Sequence, residues 1–161
     1  YGEDFLRAGY VPPEAAVIQC SNFIGDALEQ AAELGFEGVL LAGHLGKMVK
    51  LAGNMMNTHS RYGDCRMELL CAHAAKAGIV PDVAAALLSA ATVDEGLRLL
   101  TEGGIREPAM ESLLEAIAAN VRRKAGAMEA AVLIFTNAYG LLGQTENARA
   151  LLARIQEEER A

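Results

Sequence analysis

Apolar positions along this chain change their period several times, and each change marks an element. Residues 1–14 form a polar lead-in closed by Pro12-Pro13, which cannot continue a helix and sets up an extended entry. The short apolar run Ala15-Ala16-Val17-Ile18-Gln19-Cys20 predicts a strand. Ser21-Asn22 then offers helix caps, and Phe23, Ile24, Ala27, Leu28 and Ala31 recur at helical spacing as far as Gly35, which suits a C-terminal cap. Val39-Leu40-Leu41-Ala42 predicts a second buried strand ending at Gly43-His44. The crossover between the two strands has the length of a right-handed β-α-β unit.

Residues 47–124 read almost entirely as helix, punctuated by Gly53, by Gly78-Ile79-Val80-Pro81 and by Gly103-Gly104 with Pro108 close behind. Strand character returns at Ala130-Ala131-Val132-Leu133-Ile134-Phe135 and stops at Thr136-Asn137; an amphipathic helix follows over residues 146–159. The fold class is therefore α/β: a small parallel sheet of at least three strands, with a large helical insertion between the second and third recognisable strands. Residues 1–161 are read as a single domain. Three strands are few for a free-standing sheet, so further strands are expected in a longer protein, and the absence of an initiating Met points the same way.

Composition narrows the function classes. With 52% hydrophobic, 22% charged and 5% aromatic residues the chain is globular and helix-rich. The 14 basic and 21 acidic residues give a net charge of -7, which repels polyphosphate backbones and argues against nucleic acid as a partner. No apolar run approaches the roughly 20 residues of a membrane helix, and no signal peptide is recognisable, so a cytoplasmic protein without a membrane partner is expected. Cys20, Cys65 and Cys71 lack metal-binding spacing and read as small buried residues.

Candidate chemistry gathers at the predicted strand ends, where parallel sheets bind ligands. These carry Ser21-Asn22, Gly43-His44 and Thr136-Asn137. Between His44 and Arg66 the positive residues Lys47, Lys50, Arg61 and Arg66 face Asp64 alone, a cationic island in an acidic protein that suits an anionic ligand. Gly43 and Gly46 would let backbone amides approach that ligand. The stretch is not a Walker A loop, because Leu41 stands where glycine is needed and Met48 follows Lys47. No Gly-x-Gly-x-x-Gly fingerprint is present, and His44, His59 and His73 lack the His-Glu-x-x-His pattern, so no protein-bound metal is expected. His44 and His59 are candidates for proton transfer near neutral pH, whereas His73 reads as an ordinary helix position.

Ser21-Asn22-Phe23-Ile24-Gly25, Glu33-Leu34-Gly35-Phe36, Gly43-His44-Leu45-Gly46-Lys47 through Lys50-Leu51-Ala52, and Asn57-Thr58-His59-Ser60-Arg61 with Asp64, Arg66, Met67 and Glu68 together resemble the cobalt-precorrin-5B (C1)-methyltransferase family of anaerobic cobalamin biosynthesis. Thr136-Asn137-Ala138-Tyr139-Gly140 extends the likeness, while residues 71–127 match only in helical character and Gly63 stands where the family pattern has alanine. The family's amino-terminal region, with its Thr-Thr-Gly and Gly-Ile-Val-x-Pro segments, is absent, so the resemblance is to the carboxy-terminal portion.

The resemblance implies methyl transfer from S-adenosylmethionine to ring carbon C-1 of a cobalt-containing tetrapyrrole, with cobalt belonging to the substrate. The substrate's carboxylate arms would be held by Lys47, Lys50, Arg61 and Arg66. Gly43 and Gly46 would shape that substrate-binding loop, and Thr58 and Ser60 would also bind the substrate. Ser21, Asn22, Thr136 and Asn137 would contact the methyl donor, and His44 and His59 would move protons. The missing amino-terminal region of the same enzyme is the implied partner, and a homo-oligomer is left open. Two other readings of the residues stand beside this one: a non-catalytic anion-binding α/β module, and a helical protein-interaction domain in which the polar strand ends serve only as caps.

Overall fold

The helical spacing that begins at Phe23 folds as predicted. Ile24–Glu33 is a helix (α2), and its end is set by Gly35, at φ +80, a conformation that costs glycine least. There Gly35 N–H donates to Ala32 O and Phe36 N–H to Ala31 O, both at 3.1 Å, the paired bonds that satisfy the last carbonyls of a helix. Before it comes α1 (Gly2–Arg7), a short helix in a region expected to be only a polar lead-in. The structure, a computed structural model, describes residues 2–12 and 16–158. Pro13 and Ala15 thus lie outside the described residues, as does residue 159.

The second predicted strand is β1 (Gly38–His44). A long helical excursion follows: α3 (Leu45–Met48), a 3-10 turn at Val49–Gly53, another at Ser60–Tyr62, then α4 (Arg66–Lys76), α5 (Pro81–Leu88), α6 (Val93–Glu102) and α7 (Arg106–Ala125). Breaks fall at Gly53, at Gly78–Val80 and at Gly103-Gly104 as the sequence marks, but residues 54–65 are mostly loop, the break at 89–92 carries no glycine or proline, and Pro108 lies inside α7. Helix α5 begins on Pro81, whose missing N–H is no loss in a first helical turn. The chain then forms β2 (Glu129–Thr136), β3 (Gly140–Gln144) and α8 (Ala148–Glu158).

The α/β class, the three strands and the helical insertion agree with expectation, but the sheet is mixed. Its order is β1-β2-β3, with β1 and β2 parallel from Gly38↔Glu129 to His44↔Phe135 and β3 returning antiparallel to β2. The strand expected over residues 15–20 is absent among the described residues 16–20, which join no ladder. Ile18 there is 78% exposed and the Gln19 side chain is tied to Glu3, so the run gains no sheet hydrogen bonds and only Cys20 packs against the main core. The third strand is β3 instead.

Side-chain alternation puts the two sheet faces to different uses. Ala130, Val132 and Ile134 face the main core, where they meet Leu113, Ile117 and Val121 of α7 together with Leu45, Met48, Leu51, Leu70 and Leu97. The opposite face, with Leu40 and Ala131, is covered by Ala148, Leu151 and Ile155 of α8. Further along that face Phe5 of α1 stacks on Phe135 at 4.0 Å. Because β1 and β2 are parallel, their carboxyl ends share one edge, and the helical excursion leaves from that edge.

Candidate functional site

His44 is the last residue of β1 and also caps the turn that follows. Its backbone is extended (φ -68, ψ 137) and its Nδ1 accepts the Gly46 N–H at 3.1 Å. The ring lies edge-on to Phe135, 5.8 Å between centroids. Burial pushes its pKa below 6.5, opposed by the carboxylate of Asp94. Gly43, next to it, is a packing position: a Cβ there would come within 2.6 Å of Met48 Sδ.

The two lysines of the island point to different tasks. Lys47 is exposed, and its Nζ reaches the Ser21 carbonyl at 3.3 Å. Lys50 is 4% exposed; its ammonium donates to Thr58 O at 3.1 Å and Gly63 O at 2.9 Å, bracing the loop between them from beneath. The turn that carries Lys50 is itself held by Asn120 of α7, whose buried amide donates to Leu51 O at 2.8 Å and Ala52 O at 3.1 Å.

Ser21-Asn22 is a corner fastened to the same loop. Asn22 O accepts from Thr58 N at 3.0 Å, Asn22 Oδ1 accepts from Thr58 Oγ1 at 3.1 Å, and Phe23 bridges to Asn57. Ser21 holds φ at 51, uncommon for a residue with a side chain. Beyond Thr58, His59 repeats the arrangement of His44: φ -65, ψ 137, with Nδ1 accepting the Arg61 N–H at 3.1 Å. Ser60 and Arg61 are exposed, and Arg61 makes no ion pair among the described residues. Arg66 is already committed, its guanidinium forked onto both oxygens of Asp64 at 2.6 and 2.7 Å. That pair holds the Asp64 carboxyl below its usual range.

Thr136 ends β2, one residue beyond the His44↔Phe135 pair, and Asn137 follows it in the turn. Thr136 is 1% exposed, and its hydroxyl accepts the Tyr139 N–H at 3.1 Å, closing the hairpin turn; Asn137 is exposed. Hence Ser21, Asn22, Lys47, Lys50 and Thr58 form one bonded network with Gly63. His44 and Gly46 adjoin it at one end, and His59, Ser60 and Arg61 at the other. Arg66 stands apart with Asp64, and Asn137 sits on the hairpin.

Of the four residues expected at the methyl donor, Ser21 and Asn137 are exposed, Asn22 is half-buried and Thr136 is buried. Asn22 Oδ1 and the Thr136 hydroxyl each accept one internal hydrogen bond, from the Thr58 hydroxyl and the Tyr139 N–H. A separate open cleft of about 500 Å³ lies between α7 and β3, lined by residues including Arg106, Met110, Leu114, Tyr139 and Leu141. Arg106 is 5.5 Å from the centre of the Tyr139 ring. Sequence reasoning did not single out Asn120, Asp94 or Arg106. Asn120 had the clearest signal, a lone amide at a helix position whose neighbours Ile117 and Val121 are apolar and buried.

The thiols of Cys20, Cys65 and Cys71 are free and half-buried, and burial raises the pKa of Cys20. Among the described residues no group of three or more His, Cys, Asp or Glu could hold a metal ion, and no helix is long and apolar enough to cross a membrane.

The class defined so far is an α/β domain with a basic, capped corner where its two parallel strands finish. The family described as CbiD, C-terminal domain, matches residues 57–146, and the chain belongs to it. It is 33% identical over 159 residues, 98% of its own length, to a protein of Alkaliphilus metalliredigens named cobalt-precorrin-5B C(1)-methyltransferase. A protein of the same name from Desulfitobacterium hafniense is 51% identical over 79 residues, 49% of this chain and 20% of that protein. Another, from Methanocaldococcus jannaschii, is 36% identical over 105 residues, 65% of this chain and 28% of that protein. The chain spans 42% of the length of the Alkaliphilus relative. No solved structure matches it.

Proposed function

We propose that this chain is the carboxy-terminal segment of a cobalt-precorrin-5B C(1)-methyltransferase, and that its part in the reaction is to grip the acidic arms of the cobalt tetrapyrrole. The observation that carries this reading is the division of labour among the cations. Lys50 is buried and spends its donors on loop carbonyls, which leaves Lys47 and Arg61 at the surface of a braced corner. Ser60 and the Gly46 turn complete the rim, and Thr58 with Asn22 fixes its floor. A polycarboxylate meeting such a corner forms charge-assisted bonds without having to order it first, and that preorganisation is what turns contacts into affinity.

The reaction proposed for the whole enzyme is C-methylation at C-1 with S-adenosylmethionine as donor, in the cytoplasm. The donor would be held chiefly by the remainder of the enzyme, since Asn22 Oδ1 already accepts the Thr58 hydroxyl and Thr136 is buried. What this segment supplies is placement of the ring, the larger part of what a carbon nucleophile attacking a sulfonium methyl requires of a protein.

The test is calorimetric titration of the chain with a cobalt(III) porphyrin bearing an acetate and a propionate on every pyrrole ring. Replacing Lys47 and Arg61 together by Ala should weaken binding roughly a hundredfold or more, since each of the two charge-assisted bonds lost is worth on the order of 1.5–3 kcal/mol. Unchanged affinity at low salt would falsify the assignment.

A further inference from the structure

His44 and His59 occupy the same local geometry at two places in the chain. Each has extended backbone, each precedes a helical turn, and each Nδ1 accepts the N–H of the residue two positions on at 3.1 Å. A ring nitrogen that accepts a hydrogen bond carries no proton, so the neutral imidazole keeps its single proton on Nε2. Neither Nε2 has a hydrogen-bond partner among the described residues.

This geometry decides what the rings can do. A general base needs a free lone pair, and the only one on each ring is occupied by the cap. Taking up a proton at Nδ1 breaks that bond and strands the amide of Gly46 or Arg61. What remains available on each ring is the Nε2–H.

The positions matter as much as the tautomer. The Ser21-Asn22 corner is fastened on one side by Lys47, three residues after His44, and on the other by Thr58, the neighbour of His59. The two capped histidines therefore flank the corner that also carries the surface cations.

We infer that His44 and His59 act as neutral Nε2–H donors to carboxylate arms of the ligand and not as proton-abstracting bases. This rests on the tetrapyrrole-binding reading and deepens it. Cations attract the acidic arms, and uncharged donors in fixed positions orient them. Phe135 on one side of His44 and the cap on the other hold the ring in place.

Two measurements on the 15N-labelled chain and its variants test it near neutral pH. Two-bond proton–nitrogen correlation spectra report the tautomer of each ring directly. Calorimetry with the same cobalt(III) porphyrin then compares the chain with His44→Asn and His59→Asn. The Asn oxygen stands where Nδ1 stood and keeps the cap, but the Nε2–H is lost. His44→Ser, also a capping residue, replaces the Asn variant should that variant unfold.

The expected result is a proton on Nε2 of both rings, Nε2 shifts on binding, and roughly threefold to tenfold weaker binding for each variant at unchanged melting temperature. Protons on Nδ1 in the free chain, or variants that bind with full affinity, overturn the inference while leaving the tetrapyrrole reading intact. A chain with both protons on Nε2 that does not bind the porphyrin refutes the tetrapyrrole reading, and the donor role falls with it.

Discussion

Lys47 and Lys50 are three residues apart and end in opposite environments. Sequence places both in one basic island and cannot separate them, because the distinction depends on which side of a 3-10 turn meets the loop at Thr58–Gly63. Burial turns Lys50 into a brace, and exposure leaves Lys47, beyond its one bond to Ser21 O, with ammonium donors for a ligand. The histidines teach the same lesson. Their place near a strand end and in a polar loop is readable, but the Nδ1 cap that fixes their tautomer is not. The pKa of His44 has a consequence for stability. Burial favours its neutral form, so the fold holds a depressed pKa there: the associated stabilisation is present above 6.5 and is lost as pH falls through the lower folded value. Asp94 opposes the shift, and His73, lowered by burial and by Lys76, titrates in the same sense. The melting temperature should therefore fall as pH drops below 6.5, and His44→Asn should remove part of that fall. Thermal melts across this range check it; a variant with the parent's full pH dependence would show that His44 is not a source.

At the scale of elements, legibility followed the strength of the periodic signal. α2 and β2 each bury a pattern long enough to be unambiguous, and their glycine or polar stops fall where the chain turns. The run at 15–20 has the composition of a strand, yet its described part finds no ladder, since apolar content alone does not supply a partner. β3 was missed for the converse reason. Gly-Leu-Leu-Gly-Gln contains no β-branched residue and two glycines, so its propensity is poor, and pairing with β2 makes the strand. The placement of the Asn57–Thr58 loop against α2 rests on close contact as well as hydrogen bonds. Gly25 N–H donates to Met56 O at 3.0 Å, and a Cβ on Gly25 would lie 2.7 Å from Met56 Cβ, too near for any rotamer change to relieve. Gly25→Ala should force the loop off α2 at a cost of about 1–3 kcal/mol. Urea denaturation measures it, and a variant as stable as the parent would mean that the loop is not seated on that helix.

Across the whole molecule, charge runs against location. An acidic chain of net charge -7 carries Lys47 at a braced corner beside the edge where its parallel strands finish, and the proposed grip adds the exposed Arg61 to it. Long-range repulsion of an anionic ligand by the rest of the surface fades over a Debye length of roughly 8 Å at physiological salt, so the corner's own charges dominate at contact. The helical excursion supports the corner from within the core through Asn120, a tie spanning nearly seventy residues of sequence and invisible to any local pattern. The most direct test of the central claim is an amide correlation NMR titration of the chain with the carboxylate-bearing cobalt(III) porphyrin. Shifts concentrated at residues 21–22, 44–47 and 58–63 are the predicted result. Shifts gathered instead around Arg106, Tyr139 and Leu141 in the cleft between α7 and β3 would contradict it.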